Sequence, residues 1–180
     1  MDTLARELLA FWRHAGPARW FVRDDGFDAQ LRERFLAAHH AAARREYEAW
    51  MDTPEGALAL LVLLDQVPRN CYRDSAHAWA ADGLARHYAR QALAAGHDRA
   101  METSLRMFFY LPFEHSEDPA DQALSVELHR TLPGDSADEW ALLHRDIIMR
   151  FGRFPHRNAA LGRQTTPEEQ RFLDEGGFTG

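Results

Sequence analysis

The chain of 180 residues contains no lysine; its 21 basic residues are all arginine. That absence removes Schiff-base chemistry on a lysine amine and the lysine of a phosphate-binding P-loop. Every fixed positive charge is a planar guanidinium suited to carboxylate or phosphate, although a GC-rich gene would produce the same bias. Cysteine is almost as scarce. The single Cys71 excludes an internal disulfide and any cysteine-built zinc site. Long apolar runs are missing too: the longest, Ala57 to Leu64, falls far short of the ~18 residues that span a bilayer. Met1 to Trp12 mixes acids and arginines around a very short apolar stretch, unlike a secretory signal. Together these absences point to the cytoplasm. A net charge of −7 disfavours nucleic acid and anionic membrane as partners. Metal-ligand spacings such as HExxH are missing, as are the GxSxG and GxGxxG motifs, so no metal and no cofactor is assigned.

Hydrophobic residues make up 46% of the chain and charged residues 27%, as in an ordinary globular protein. The length suits one all-α domain over residues 1–180, with 176–180 a loose tail, and the patterning yields about eight helices. Thr3 to Arg13 forms the first. Phe27, Leu31, Phe35, Ala38 and Ala42 share a face in a second, from about Phe27 to Trp50, with Asp28 and Arg32 pairing four apart on another side. Thr53-Pro54 opens a helix that is apolar all round and therefore central, and Pro68 stops it. Ser75 caps the next, with Ala80, Leu84, Tyr88 and Ala92 on one face and Gly96 beyond its end. Met101 to Tyr110 follows, kinked or ended by Pro112, and then Pro119 to Arg130. Asp135 or Ser136 opens a helix to Phe151 with Trp140, Leu143, Ile147 and Phe151 inward. Thr166-Pro167-Glu168-Glu169 is a capping box for the last.

Three polar constellations stand out. Asp65-Gln66-Val67-Pro68-Arg69-Asn70 continues a buried helical face, and a carboxylate there needs a partner. It is either a ligand-binding corner built from Asp65, Arg69 and Asn70 or a helix end held by an Asp–Arg pair. Glu114-His115-Ser116-Glu117-Asp118 sets three carboxylates around His115, which could tune an acid/base group or help bind a cation; Ser116 or Asp118 could equally be a plain helix cap. His144 faces inward on its helix, while Asp146 can pair with Arg150. After that helix, Arg153, His156, Arg157 and Asn158 are interleaved with Phe151 and Phe154. That loop suits an anionic or aromatic group, unless the phenylalanines merely anchor it and the arginines cap helix ends.

These segments also resemble a known family. Leu64 to Asn70, Leu111 to Asp118, His144 to Ile148, Arg150 to Asn158, Thr53 to Leu58 and Thr166 to Glu169 are similar, in matching order, to the motifs of bacterial domain-of-unknown-function family 924. The resemblance implies an all-α fold like the tetratricopeptide-like superhelix, and it brings no activity. Val67 stands where that family usually has phenylalanine, and Glu114 where it usually has methionine.

The functional expectation is a pocket lined by Asp65, Arg69, His115, Asp146, His156 and Arg157. It would bind a small anionic metabolite, with His115, His156 and Asp146 as candidate acid/base groups for hydrolysis or elimination. Asn70, His144, Arg153 and Asn158 would complete the ligand contacts. The alternative is a noncatalytic helical scaffold whose groove clamps an acidic peptide or protein partner.

Overall fold

The computed structural model describes residues 2–134 and 137–179, and every regular element among them is helical. The helix start expected at Asp135 or Ser136 lies outside the described residues. None of the helices described is long and apolar enough to cross a membrane. The chain divides into two compact units. The first comprises Met1–Arg73 and His77–Pro112, the second Asp74–Ala76 and Phe113–Gly180.

In the first unit, α1 (Thr3–Ala15), α2 (Pro17–Trp20) and α3 (Asp25–Ala43) lead into α4 (Pro54–Leu61). Thr53 caps α4 by accepting from the Gly56 N–H, with proline at the first helical position, as its sequence implies. Ala57 to Leu64 are buried throughout, so this apolar helix is the centre of the unit. It packs against α1 and α6 (Asp82–Ala94), while α3 packs against α5 (Val67–Cys71). Trp12 closes the core, stacked on Trp20 at 6.3 Å and edge-on to Phe108 at 5.5 Å.

Three expected boundaries move. The helix expected to open at Ser75 begins only at Asp82, after a 3-10 turn over Ala76–Trp79. α3 stops at Ala43 rather than Trp50, because Arg45 adopts a left-handed backbone (φ 67°) just beyond it. The central helix also runs through Pro68. Val62–Gln66 is a π-helical turn in which the Val67 N–H reaches the Val62 carbonyl, five residues back. Proline breaks an α-helix by lacking an N–H and by pressing its ring on the preceding turn. The wider π turn relieves the second problem, and side chains solve the first.

The second unit takes the end of α7 (Thr103–Glu114), then α8 (Pro119–His129), α9 (Glu139–Phe151) and α10 (Pro167–Asp174). Pro112 lies inside α7 rather than ending it. Thr166 and Glu169 form the expected capping box. The buried stripe of α9 is Ala141, His144, Ile147 and Ile148; Trp140 and Leu143, expected inward, are exposed. α9 packs on α8 along that stripe, and Ile147, Ile148 and Phe154 form a small core with Phe151, Phe172 and Phe178. Phe178, in the segment expected to be loose, sits edge-on to His144 at 4.6 Å and to His156 at 5.2 Å.

Candidate functional site

Asp65, Arg69 and Asn70 belong to the first unit. His115, His144, Asp146, Arg153, His156, Arg157 and Asn158 belong to the second.

In the first unit, the π turn and Pro68 displace the regular ladder, and side chains take up its carbonyls. In the register set by Val67 and Val62, the next donor would be the missing N–H of Pro68 and its acceptor Leu63. His39 Nδ1 donates to that Leu63 carbonyl instead, at 2.8 Å. A carbonyl can only accept, so His39 carries its proton on Nδ1. Burial holds its pKa below the ordinary value. Arg69 Nη1 donates to the Asp65 carbonyl at 2.7 Å and Asn70 Nδ2 to that of Gln66 at 3.0 Å.

Asp65 is only 2% exposed and is met by Arg69 at 3.1 Å and by Gln66 Nε2 at 2.6 Å. The same guanidinium makes two bonds to Asp82 on α6, at 2.9 and 3.0 Å. The Asp–Arg pairing of the helix end is therefore present, extended by a second carboxylate.

Beside this corner is a cleft of about 270 Å³ lined by Arg23, Asp25, Asp28, Arg32, Asn70, Cys71 and Arg73. Only Asn70 among these was expected to contact a ligand. Asp28 and Arg32 do not form the expected pair four residues apart. Arg73 takes Asp28 with two N–H groups, one at 3.0 Å, and also donates to Asn70 Oδ1 at 3.0 Å. Arg32 is left donating to the Cys71 carbonyl at 2.8 Å, and it makes no ion pair among the described residues. Burial pushes the Cys71 thiol up to about 11, so the cleft holds a thiol rather than a nucleophilic thiolate at neutral pH. The sequence signal was limited to the four-residue spacing of Asp28 and Arg32 on α3; the competitor for Asp28 lies 45 residues away.

In the second unit, Gln122 fixes the turn after α7 by donating to the carbonyls of Glu114 at 2.6 Å and Ser116 at 2.7 Å. Asp118 caps α8 through the Ala120 N–H. The buried Glu114 carboxyl then lies 3.5 Å from His129 Nε2 and 3.5 Å from His144 Nδ1. His129 and His144 each direct Nδ1 at the carbonyl four residues back, Ser125 at 2.9 Å and Trp140 at 2.8 Å. Burial drives His144 down to about 3 and holds His129 below its usual value. The half-buried His115 lies 6.3 Å from His144, and His156 packs on Phe154. Arg157 lies 4.5 Å over the Phe154 ring and donates to the His115 carbonyl at 3.1 Å. The structure therefore gathers His115, His144, His156 and Arg157, and adds Glu114 and His129. His129 had seemed isolated because its partners come from α7.

Asp146 does not join them. It is exposed and pairs with the adjacent Arg145 at 2.6 Å, while Arg150 pairs with Glu168 rather than with Asp146. Arg153 and Asn158 serve the loop itself. Glu169 receives two bonds from Arg153, at 2.6 and 2.8 Å, and one from Asn158 at 3.3 Å, and Arg153 brings its carboxyl down to about 2. Glu117 ties the same loop down by accepting from the Phe154 N–H and twice from Arg163. Among the described residues, no group of three or more His, Cys, Asp and Glu side chains is arranged to hold a metal ion.

The model of a family described as "Bacterial protein of unknown function (DUF924)" matches residues 8–177. The fold is similar to a solved structure of a protein of unknown function from Agrobacterium tumefaciens. The two share 51% sequence identity over 97% of this chain and 100% of that one, with a TM-score of 0.94. No curated protein matches.

Proposed function

The chain belongs to the bacterial family of unknown function DUF924, and we propose that it binds a small anionic metabolite in the cleft of its first unit. The observation that carries this reading is the exchange of partners at Asp28. By taking Asp28, Arg73 leaves the Arg32 guanidinium on the cleft wall with a carbonyl and no carboxylate. A guanidinium so placed has N–H groups to offer a carboxylate or phosphate. Arg23 and Arg73 also line the cleft. A volume of about 270 Å³ lies just under the roughly 300 Å³ at which ligand pockets begin, so it admits only a very small molecule. That size favours a metabolite over the acidic peptide that a tetratricopeptide-like scaffold would clamp. We also place the protein in the cytoplasm, where a lone cysteine such as Cys71 needs no disulfide partner.

Thermal denaturation against a panel of small carboxylates and phosphates tests the proposal. A true ligand at a hundred times its Kd should add about 2.7 kcal/mol of stability. Arg32→Gln should abolish that gain while leaving the ligand-free melting curve almost unchanged. An equal gain in the variant would remove the cleft from consideration.

A second reading, acid/base chemistry in the second unit, is favoured by the buried Glu114 between His129 and His144. In it the half-buried His115 and His156 exchange protons with a substrate. A substrate found by metabolite screening should then lose turnover in His156→Ala and keep it in Arg32→Gln; unchanged turnover in His156→Ala would end this reading.

A further inference from the structure

The cleft carries charge of both signs, and the distribution says what kind of anion fits. Three arginines and two aspartates line it. Arg73 and Asp28 neutralise each other through their paired bonds. Arg32 remains on one side of the balance, and Asp25 on the other.

Asp25 is the informative residue. It stands in the first turn of α3, exposed, and makes no hydrogen bond or ion pair among the described residues. An acid there is favourable to the helix dipole, but that need is already met. Asp24 caps the helix through the Phe27 N–H, and Asp28 is a further acid in the same turn. Asp25 is thus a third carboxylate on one helix start, and it lines the same cleft as Arg32, which stands two turns further along α3.

We propose that the ligand is a zwitterion, an amino-carboxylate whose carboxylate meets Arg32 and whose ammonium meets Asp25. This rests on the cleft being the binding site and goes on to name the class. A phosphate dianion would bring two negative charges up to Asp25. A plain carboxylate would satisfy Arg32 and leave Asp25 uncompensated. An amino acid or similar amino-carboxylate answers both charges in one small molecule. The Cys71 thiol beside it takes no covalent part, because it stays protonated.

Isothermal titration of the whole chain with matched pairs decides the matter: alanine against propionate, glutamate against glutarate, and inorganic phosphate alone. The amino form of each pair should bind about threefold to fivefold tighter, the worth of one partly exposed ion pair. Asp25→Asn should erase that preference while the des-amino acids keep their affinity. Arg32→Gln should weaken both members of a pair. Equal affinities within each pair, or phosphate tighter than every amino-carboxylate, would overturn the zwitterion and leave an anion cleft. If none of these probes binds, the cleft reading falls with it.

Discussion

His144 is kept neutral by its surroundings. It is 5% exposed, packed by Phe154 and Phe178, and its Nδ1 proton is committed to the Trp140 carbonyl. Burial, and the nearby His115, Arg157 and His156, bring its pKa from 6.5 to about 3. As pH falls from 6.5 the unfolded chain takes up a proton that folded His144 refuses. Its contribution to stability is therefore present above about 6.5 and lost progressively toward 3. His39 and His129 are depressed in the same direction, so acid should weaken the fold before most carboxylates titrate. Replacing His144 with phenylalanine keeps the ring and removes the titration. Denaturant unfolding across this pH window should lose up to about 1.4 kcal/mol per pH unit of slope. An unaltered slope would show that His144 titrates normally in the folded protein.

At the scale of the element, the segment from Val62 to Cys71 joins a π turn, a proline and three side chains that donate to its carbonyls. His39, Arg69 and Asn70 serve the carbonyls of Leu63, Asp65 and Gln66. This arrangement sets the direction in which Asn70, Cys71 and Arg73 leave the helix, and those residues line the cleft. If His39 substitutes for the missing proline N–H, the two positions are coupled. His39→Leu alone should cost about 1–3 kcal/mol by orphaning the Leu63 carbonyl. In a Pro68→Ala background the backbone regains a donor and the cost should shrink by at least ~0.5 kcal/mol. Strict additivity in chemical denaturation would mean that the His39 bond and the proline are unrelated.

Whole-molecule features divide into those readable in the chain and those that depend on distant partners. Helix starts were legible where a local cap announces them, as at Thr53-Pro54 and Thr166, and so was the buried face of α3. Pro68 misled, since proline's rule is local and the His39 side chain that serves the Leu63 carbonyl in place of its N–H comes from 24 residues away. Trp140 misled because a large ring at helical spacing was read as core, whereas His144 and the small Ala141 take the buried side. Part of the second unit's cluster was visible as motifs: His115, His144, His156 and Arg157. The cleft was not, because Asp28 and Arg32 looked like a routine pair until Arg73 claimed the aspartate from across the chain.

A chain of net charge −7 repels small anions in general, so an anion site requires a local guanidinium without a carboxylate partner, such as Arg32 supplies. Following the arginine side-chain Nε–Hε resonances by NMR while glutamate is titrated in tests this most directly. The account predicts saturable shifts led by Arg32, with smaller ones at Arg23 and Arg73 and none at Arg153. Shifts confined to Arg153 and Arg157, or growing linearly without saturation at every arginine, would contradict it.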